Sequence, residues 1–269
     1  MYKLIAIDVD DTLITDEKVV TDGTKQALIQ AIEQGTAVTL ATGRMYASAR
    51  NIALQTGLNV PLITYQGSLI KNVISGEVLY ECAVPDDAAM KLFEYCESKG
   101  LHLQLYVDDQ VYAQEKNDKL IAYCELSNIP YTIEPDFRGV LSRHRSTKML
   151  IIDEPSLLDE VAAHLRGLLG PDVHITKSKP HFLEITHREG TKGHALRFLA
   201  EHFGCTLEET IGIGDSWNDH DLIETAGLGV AMGNAVSSLK EIADYITLSN
   251  NEEGVRHVIE KFVLNQSEV

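Results

Sequence analysis

Three stretches of the chain place chemically able side chains directly after short apolar runs: Asp8-Val9-Asp10-Asp11-Thr12, Thr42-Gly43-Arg44 and Gly214-Asp215-Ser216-Trp217-Asn218-Asp219. If Asp8, Asp10, Asp215 and Asp219 share one small volume, their mutual repulsion raises their pKa values unless a divalent cation sits among them. An all-oxygen set of this kind suits Mg²⁺, which keeps several waters, uses one or two carboxylates and leaves room for a phosphate. No cysteine or histidine belongs to the set, which argues against zinc. The ten histidines, His187, His194 and His220 among them, make no metal-ligand pattern. Gly212 and Gly214 begin something like a dinucleotide fingerprint, but Trp217 stands where its third glycine belongs.

Elements that would bring these stretches together can be read from the pattern. Leu4-Ile5-Ala6-Ile7 reads as a strand buried on both faces and ends abruptly in carboxylates. Thr21 or Asp22 then caps a helix with an apolar face of Ala27, Leu28, Ala31 and Ile32, closed by Gly35. A second strand is expected over 37–41, a helix over 45–55 and a third strand over 61–65. The same grammar returns near the C-terminus, with helices over 191–203, 219–225, 236–242 and 252–263 and strands over 210–214, 228–231 and 244–247. This alternation predicts an α/β fold, a doubly wound, mainly parallel sheet formed by both ends of the chain. Ligands of such sheets bind at the carboxyl ends of the strands, where the three stretches would converge.

The middle reads differently. Helices are expected over 85–100, 117–128 and 155–169, a hairpin over 102–114 turning at Asp108-Asp109-Gln110, and strands over 148–152, 173–176 and 182–186. Residues 83–187 are therefore expected to form an inserted α+β cap domain, with 1–82 and 188–269 making the catalytic core.

A formal net charge of −17 sets nucleic acid and anionic membrane aside as expected partners, since both need clustered Lys and Arg. A phosphorylated small molecule would need a cation and local basic groups to reverse that field. The four cysteines have no C-x-x-C pair and read as reduced thiols. The first apolar run is too short for a signal sequence or a membrane span, so a cytoplasmic location is expected.

Asp8-x-Asp10-x-Thr12, Thr42 after an apolar strand, the isolated Lys192 and Gly214-Asp215-x-x-Asn218-Asp219 resemble, in order, the four motifs of the haloacid-dehalogenase superfamily of phosphatases. Finer features resemble its Cof-type subfamily, which has an inserted α/β (type IIB) cap: Ala41-Thr42-Gly43-Arg44, Glu184-Ile185 with Gly190-x-Lys192-Gly193, Met232-Gly233-Asn234-Ala235, and Ser249-Asn250 with Gly254-Val255. The resemblance implies hydrolysis of a phosphate monoester through an aspartyl-phosphate on Asp8. Asp10 would be general acid and base, with a pKa above that of Asp8. It implies Mg²⁺ held by Asp8, the Asp10 carbonyl and Asp215, with Asp219 orienting the metal's surroundings. Thr42, Gly43, Lys192 and Asn218 would bind the phosphoryl group.

Substrates in keeping with the resemblance are a sugar phosphate, a nucleotide-like phosphate or a phosphorylated flavin precursor. A phosphomutase sharing the phosphoenzyme and a non-catalytic metabolite-binding protein are the competing readings. Arg44, Tyr46, Lys179, His181 and Glu184 are the candidate substrate contacts. Three positions depart from the family pattern: Asp11 where Gly is usual, Gln66-Gly67 for the frequent Asn-Gly, and bulky Trp217, which would pack beneath its loop. The sequence leaves the oligomeric state open.

Overall fold

The first strand, β1 (Leu4–Ile7), is wholly buried and pairs in parallel with β2 (Ala37–Leu40). Between them runs α1 (Asp22–Glu33), started by Thr21, whose hydroxyl accepts the Thr24 N–H at 3.1 Å. After α2 (Tyr46–Gln55) come β3 (Pro61–Thr64), β4 (Leu69–Asn72) and β5 (Val78–Glu81), which form their own antiparallel sheet. A single parallel bridge, Ala41 to Ile63, joins that sheet to the end of β2. The expected third parallel strand is thus the first strand of an antiparallel extension. The computed structural model describes residues 1–264.

The middle of the chain supplies α3 (Asp86–Lys99), β6 (Leu103–Val107), β7 (Gln110–Ala113), α4 (Asp118–Ser127), β8 (Tyr131–Ile133), α5 (Phe137–Arg143), β9 (Lys148–Ile152), α6 (Pro155–Leu169), β10 (Val173–Lys179) and β11 (Phe182–His187). Its six strands form one sheet in the order β10-β11-β9-β6-β7-β8, antiparallel except between β7 and β8. Alternation along β6 sorts its side chains. Leu103, Leu105 and Val107 pack with Leu92 and Phe93 of α3, Phe137 of α5 and Leu158 of α6, while Tyr106 joins the core that also contains Ile5, Ile7 and Leu40. The hydrophobic core therefore runs continuously from the parallel sheet into the six-stranded one.

The last third returns to the parallel sheet with α7 (Lys192–Phe203), β12 (Thr210–Gly214), α8 (His220–Thr225), β13 (Leu228–Ala231), α9 (Ser237–Ile242), β14 (Tyr245–Ile246) and α10 (Gly254–Phe262). The order β14-β13-β12-β1-β2 is parallel throughout. It places the ends of β12, β1 and β2 side by side, with Ile7 level with both Ile213 and Leu40. All four cysteines are free thiols. Among the described residues no helix is long and apolar enough to cross a membrane.

Candidate active site

Directly after β1 the chain makes a wide turn, closed by Leu13 N–H to the Asp8 carbonyl at 3.3 Å and Ile14 N–H to the Val9 carbonyl at 3.1 Å. Asp11 sits in the left-handed region at φ 60°, where Asp is better tolerated than most side chains. The turn is tied to the neighbouring strand end by the Thr12 hydroxyl, which donates to Asp215 Oδ1 at 3.0 Å. The first residue of α7, Lys192, is wholly buried, and its ammonium donates to Asp8 Oδ1 and Asp219 Oδ1, each at 2.6 Å.

Asp219 is saturated, since its Oδ2 also accepts the N–H groups of Asp215 and Ser216 at 3.0 Å each. A Cβ at Gly214 would lie 2.4 Å from the Asp219 carboxyl carbon, so only glycine lets that carboxylate fold back against the strand end. Three carboxylate oxygens, one each from Asp8, Asp215 and Asp219, lie within 4.8 Å of one another. Of these side chains, Asp8 and Asp215 each keep one oxygen to which no group among the described residues donates a hydrogen bond. An all-oxygen pair with open positions fits a hard divalent cation.

Burial pushes the Asp8 carboxyl well above the usual carboxylate range; Lys192 opposes this, while Asp219 and Asp215 reinforce it. Burial, with Asp219 beside it, pushes Asp215 up to about 7. Lys192 loses solvation in the same place, yet Asp219 and Asp8 hold its pKa above the ordinary lysine value. Asp10 behaves oppositely. Burial would raise it, but the Arg44 guanidinium bound to it brings it below the ordinary value, with help from Lys18 and Lys179. The expectation that Asp10 titrates above Asp8 is therefore corrected: Asp10 has a forked cationic partner, whereas Asp8 shares its single lysine with Asp219.

A cavity of about 60 Å³ lies over these groups, walled by Asp8, Asp10, Thr42, Gly43, Arg44, Asp215 and Asn218 from the parallel sheet and by Tyr123, Lys148, Lys179, Phe182 and Glu184 from the six-stranded unit. Arg44, Lys179 and Glu184 thus stand where a substrate contact was expected. Tyr46 and His181 do not. The Tyr46 hydroxyl turns away to the Asn72 carbonyl at 2.7 Å, and His181 is exposed against the edge of Phe182. Trp217 does not pack beneath its loop; it is half-exposed and shares a groove with Pro155, Lys177 and Pro180.

Lys148 was not anticipated. It is almost wholly buried, pairs with Glu184 at 3.1 Å and donates to the Gly43 carbonyl at 2.7 Å. The signal available was one lysine heading the apolar run Met149–Ile152, opposite in charge to the one glutamate inside the apolar stretch 182–185.

Two parallel strand ends contributing carboxylates, a third contributing threonine, a buried lysine behind them and a second α/β unit overhead make an α/β protein whose strand-end site suits phosphoryl-group chemistry. The sequence from residue 5 to 259 matches the family model of haloacid dehalogenase-like hydrolases. The chain belongs to that family and is a hydrolase acting on phosphoric monoesters, which sets aside the reading of a non-catalytic binder. It is 33% identical, over 97% of its length and 96% of the relative's, to the 5-amino-6-(5-phospho-D-ribitylamino)uracil phosphatase YcsE of Bacillus subtilis. A solved haloacid dehalogenase-like hydrolase from Bacteroides thetaiotaomicron is 32% identical, superposes with a TM-score of 0.86, and is matched over 97% of this chain and 99% of that one. A sugar phosphatase of HAD subclass IIB is 26% identical, with a TM-score of 0.85, over 97% and 98% of the two chains.

Proposed function

We propose that the enzyme hydrolyses a small-molecule phosphate monoester, of a sugar, a nucleotide-like compound or a flavin precursor, through an aspartyl-phosphate on Asp8. The observation that carries this reading is Asp8 itself: it lines the cavity, one of its oxygens is anchored by Lys192 at 2.6 Å, and the other accepts no hydrogen bond from the described residues. A carboxylate need lose no proton to attack, so the Asp8–phosphorus bond can form as the bond to the leaving oxygen breaks. Asp10 gives its proton to that oxygen, then takes one from the water that attacks phosphorus, releasing phosphate and regenerating Asp8. With Arg44 donating to both of its oxygens, Asp10 is held in the basic form, which suits the second step; the first step needs Asp10 protonated, with that fork opened.

Asp8, the Asp10 carbonyl and Asp215 would hold Mg²⁺, which when bound offsets the charge of the carboxylates and of the phosphoryl oxygens. Thr42 accepts the Arg44 N–H at 3.1 Å, which leaves its hydroxyl proton for a phosphoryl oxygen. Asn218, Gly43 and Lys192 supply the remaining phosphate contacts. Residues 83–187 act as the cap, whose Lys179, Glu184 and Phe182 meet the leaving group and exclude water. Purified protein suffices for the test: phosphate release from p-nitrophenyl phosphate, in Mg²⁺ and in EDTA, by the parent and by Asp8→Asn. The parent should depend on Mg²⁺ and the variant should be inactive; equal rates would overturn the reading.

A further inference from the structure

The loop after β3 holds two successive non-glycine residues in the left-handed region, Tyr65 at φ 51° and Gln66 at φ 63°. Side chains are disfavoured there, and such strain persists only where surrounding contacts over-determine it. The backbone contacts are to the phosphate-binding loop: Tyr65 N–H to the Arg44 carbonyl and Gln66 N–H to the Thr42 carbonyl, both at 3.0 Å. The side-chain contacts go the other way, into the six-stranded unit. The Tyr65 hydroxyl donates to Asp109 Oδ1 at 2.6 Å, at the β6–β7 turn, and Gln66 Nε2 donates to Glu184 Oε2 at 2.8 Å.

Gln66 has a second contact that Tyr65 lacks. Its amide oxygen accepts Asn218 Nδ2 at 3.0 Å. One amide therefore joins a carboxylate of the overlying unit to an asparagine that lines the cavity. The junction is shut off from water, with Gln66 1% exposed and Glu184 3%. Gly43 makes room for it, because a Cβ there would stand 2.4 Å from Gln66 Nε2. An asparagine, one methylene shorter, would not reach both partners from the same backbone.

We propose that Gln66 is a positioning residue that couples seating of the cap to the phosphate site. The proposal rests on the phosphatase reading above and on Asn218 as a phosphate contact. With the cap down, Glu184 fixes the Gln66 amide, the Gln66 oxygen orients the Asn218 amide, and one N–H of Asn218 is left for a phosphoryl oxygen. When the cap lifts, Glu184 leaves and Asn218 loses its oriented partner, so the phosphoryl group is fully held only after water has been excluded.

Three variants test this. Gln66→Met keeps the length and removes both hydrogen bonds; Gln66→Glu sets a carboxylate against Glu184; the double variant Gln66→Glu with Glu184→Gln restores a donor–acceptor pair with its sense reversed. Activity is read as kcat and KM on p-nitrophenyl phosphate, folding as Tm, and cap seating as hydrogen exchange at Ala47, whose N–H is held by Asp109 of the cap at 3.1 Å. Both single variants should lose about ten- to a hundredfold in kcat/KM, the scale of a hydrogen bond to a charged group. Ala47 should exchange faster in both, and the double variant should recover activity at least about tenfold over Gln66→Glu and slow the exchange again. Parent-like activity in the single variants, loss of activity with parent-like exchange, or a double variant no better than Gln66→Glu would overturn the coupling. Asp8→Asn separates the two readings. If it were as active as the parent, the phosphatase mechanism would fail while the exchange measurement still judged the link between Gln66 and the cap.

Discussion

Arg44 grips both oxygens of Asp10, with Nε 2.7 Å from Oδ2 and Nη2 2.8 Å from Oδ1. The fork fixes the plane of the Asp10 carboxylate relative to Asp8, two residues earlier at the strand end, and Ser48 steadies the third guanidinium nitrogen at 3.1 Å. An ammonium cannot reproduce two parallel hydrogen bonds from one plane. Arg44→Lys should therefore lower kcat on p-nitrophenyl phosphate by about ten- to a hundredfold, with a smaller change in KM. Steady-state kinetics check this, and an unchanged kcat would show that the orientation of Asp10 is set elsewhere.

Metal binding should appear as stability. Asp8 is buried and Asp215 half-buried, each beside further carboxylates, and both titrate above the ordinary range. A divalent cation that relieves this crowding binds the folded chain alone, and at a hundred times its Kd it stabilises by about 2.7 kcal/mol. Thermal melts of the parent should rise in Mg²⁺ and fall back in EDTA. In Asp215→Asn, which loses one of the two carboxylates with an open oxygen, the increment should largely vanish. A rise of equal size in parent and variant would place the ion elsewhere.

The difference between what was legible and what was not follows from where each group's position is decided. Asp8, Thr42 and Asp215 sit at the ends of buried parallel strands, so the apolar runs announce them and the adjacency of β12, β1 and β2 brings them together. The extension β4–β5 was missed because β5 is half-exposed and shows no alternation, and β8 and α5 because three and seven residues give too short a pattern. The order of the Asp8 and Asp10 pKa values depends on the direction of the Arg44 side chain, which spacing does not reveal. Tyr46 and His181 failed as cavity residues for the same reason: both lie near the site in sequence, but one hydroxyl finds Asn72 and the other ring lies outside.

Asp11 stands where the family pattern has glycine, and it pairs with Lys179 of the cap at 3.0 Å. Asp11→Gly would relieve a left-handed side chain, a gain of about 1–2 kcal/mol, and would lose about 0.5–1 kcal/mol to the greater freedom of the unfolded chain. This partly exposed ion pair and a second, longer one to Lys18 at 3.6 Å together contribute about 0–1 kcal/mol. These contributions nearly cancel, so the unfolding free energy should change by less than about 1 kcal/mol. Lys179 would at the same time be released from the cavity wall, so kcat/KM on p-nitrophenyl phosphate should shift by more than the stability does. Denaturant titration beside steady-state kinetics checks the split; a large loss of stability would mean that the ion pairs outweigh the strain.

His102 gives the fold a dependence on pH away from the catalytic groups. It is buried under α4, where Asn117 Nδ2 lies 3.0 Å from Nδ1 and Gln104 Nε2 lies 3.1 Å from Nε2. The Asn117 oxygen is already taken by the Leu120 N–H at 3.0 Å, so its amide nitrogen must donate and Nδ1 must accept. A proton on Nδ1 breaks that bond. Burial, with Lys119 adding to it, accordingly lowers the His102 pKa to about 4, and Asp153 opposes only in part. Because the folded chain binds this proton less readily than the unfolded chain, the contribution is complete above the unfolded value of 6.5 and is lost as pH falls toward 4. At pH 5 the loss should be about 2 kcal/mol relative to pH 7.5. Urea unfolding of the parent and of His102→Gln at both pH values isolates it: the stability gap between parent and variant should narrow by that amount on acidification, and a gap that stays constant would mean that His102 titrates alike in both states.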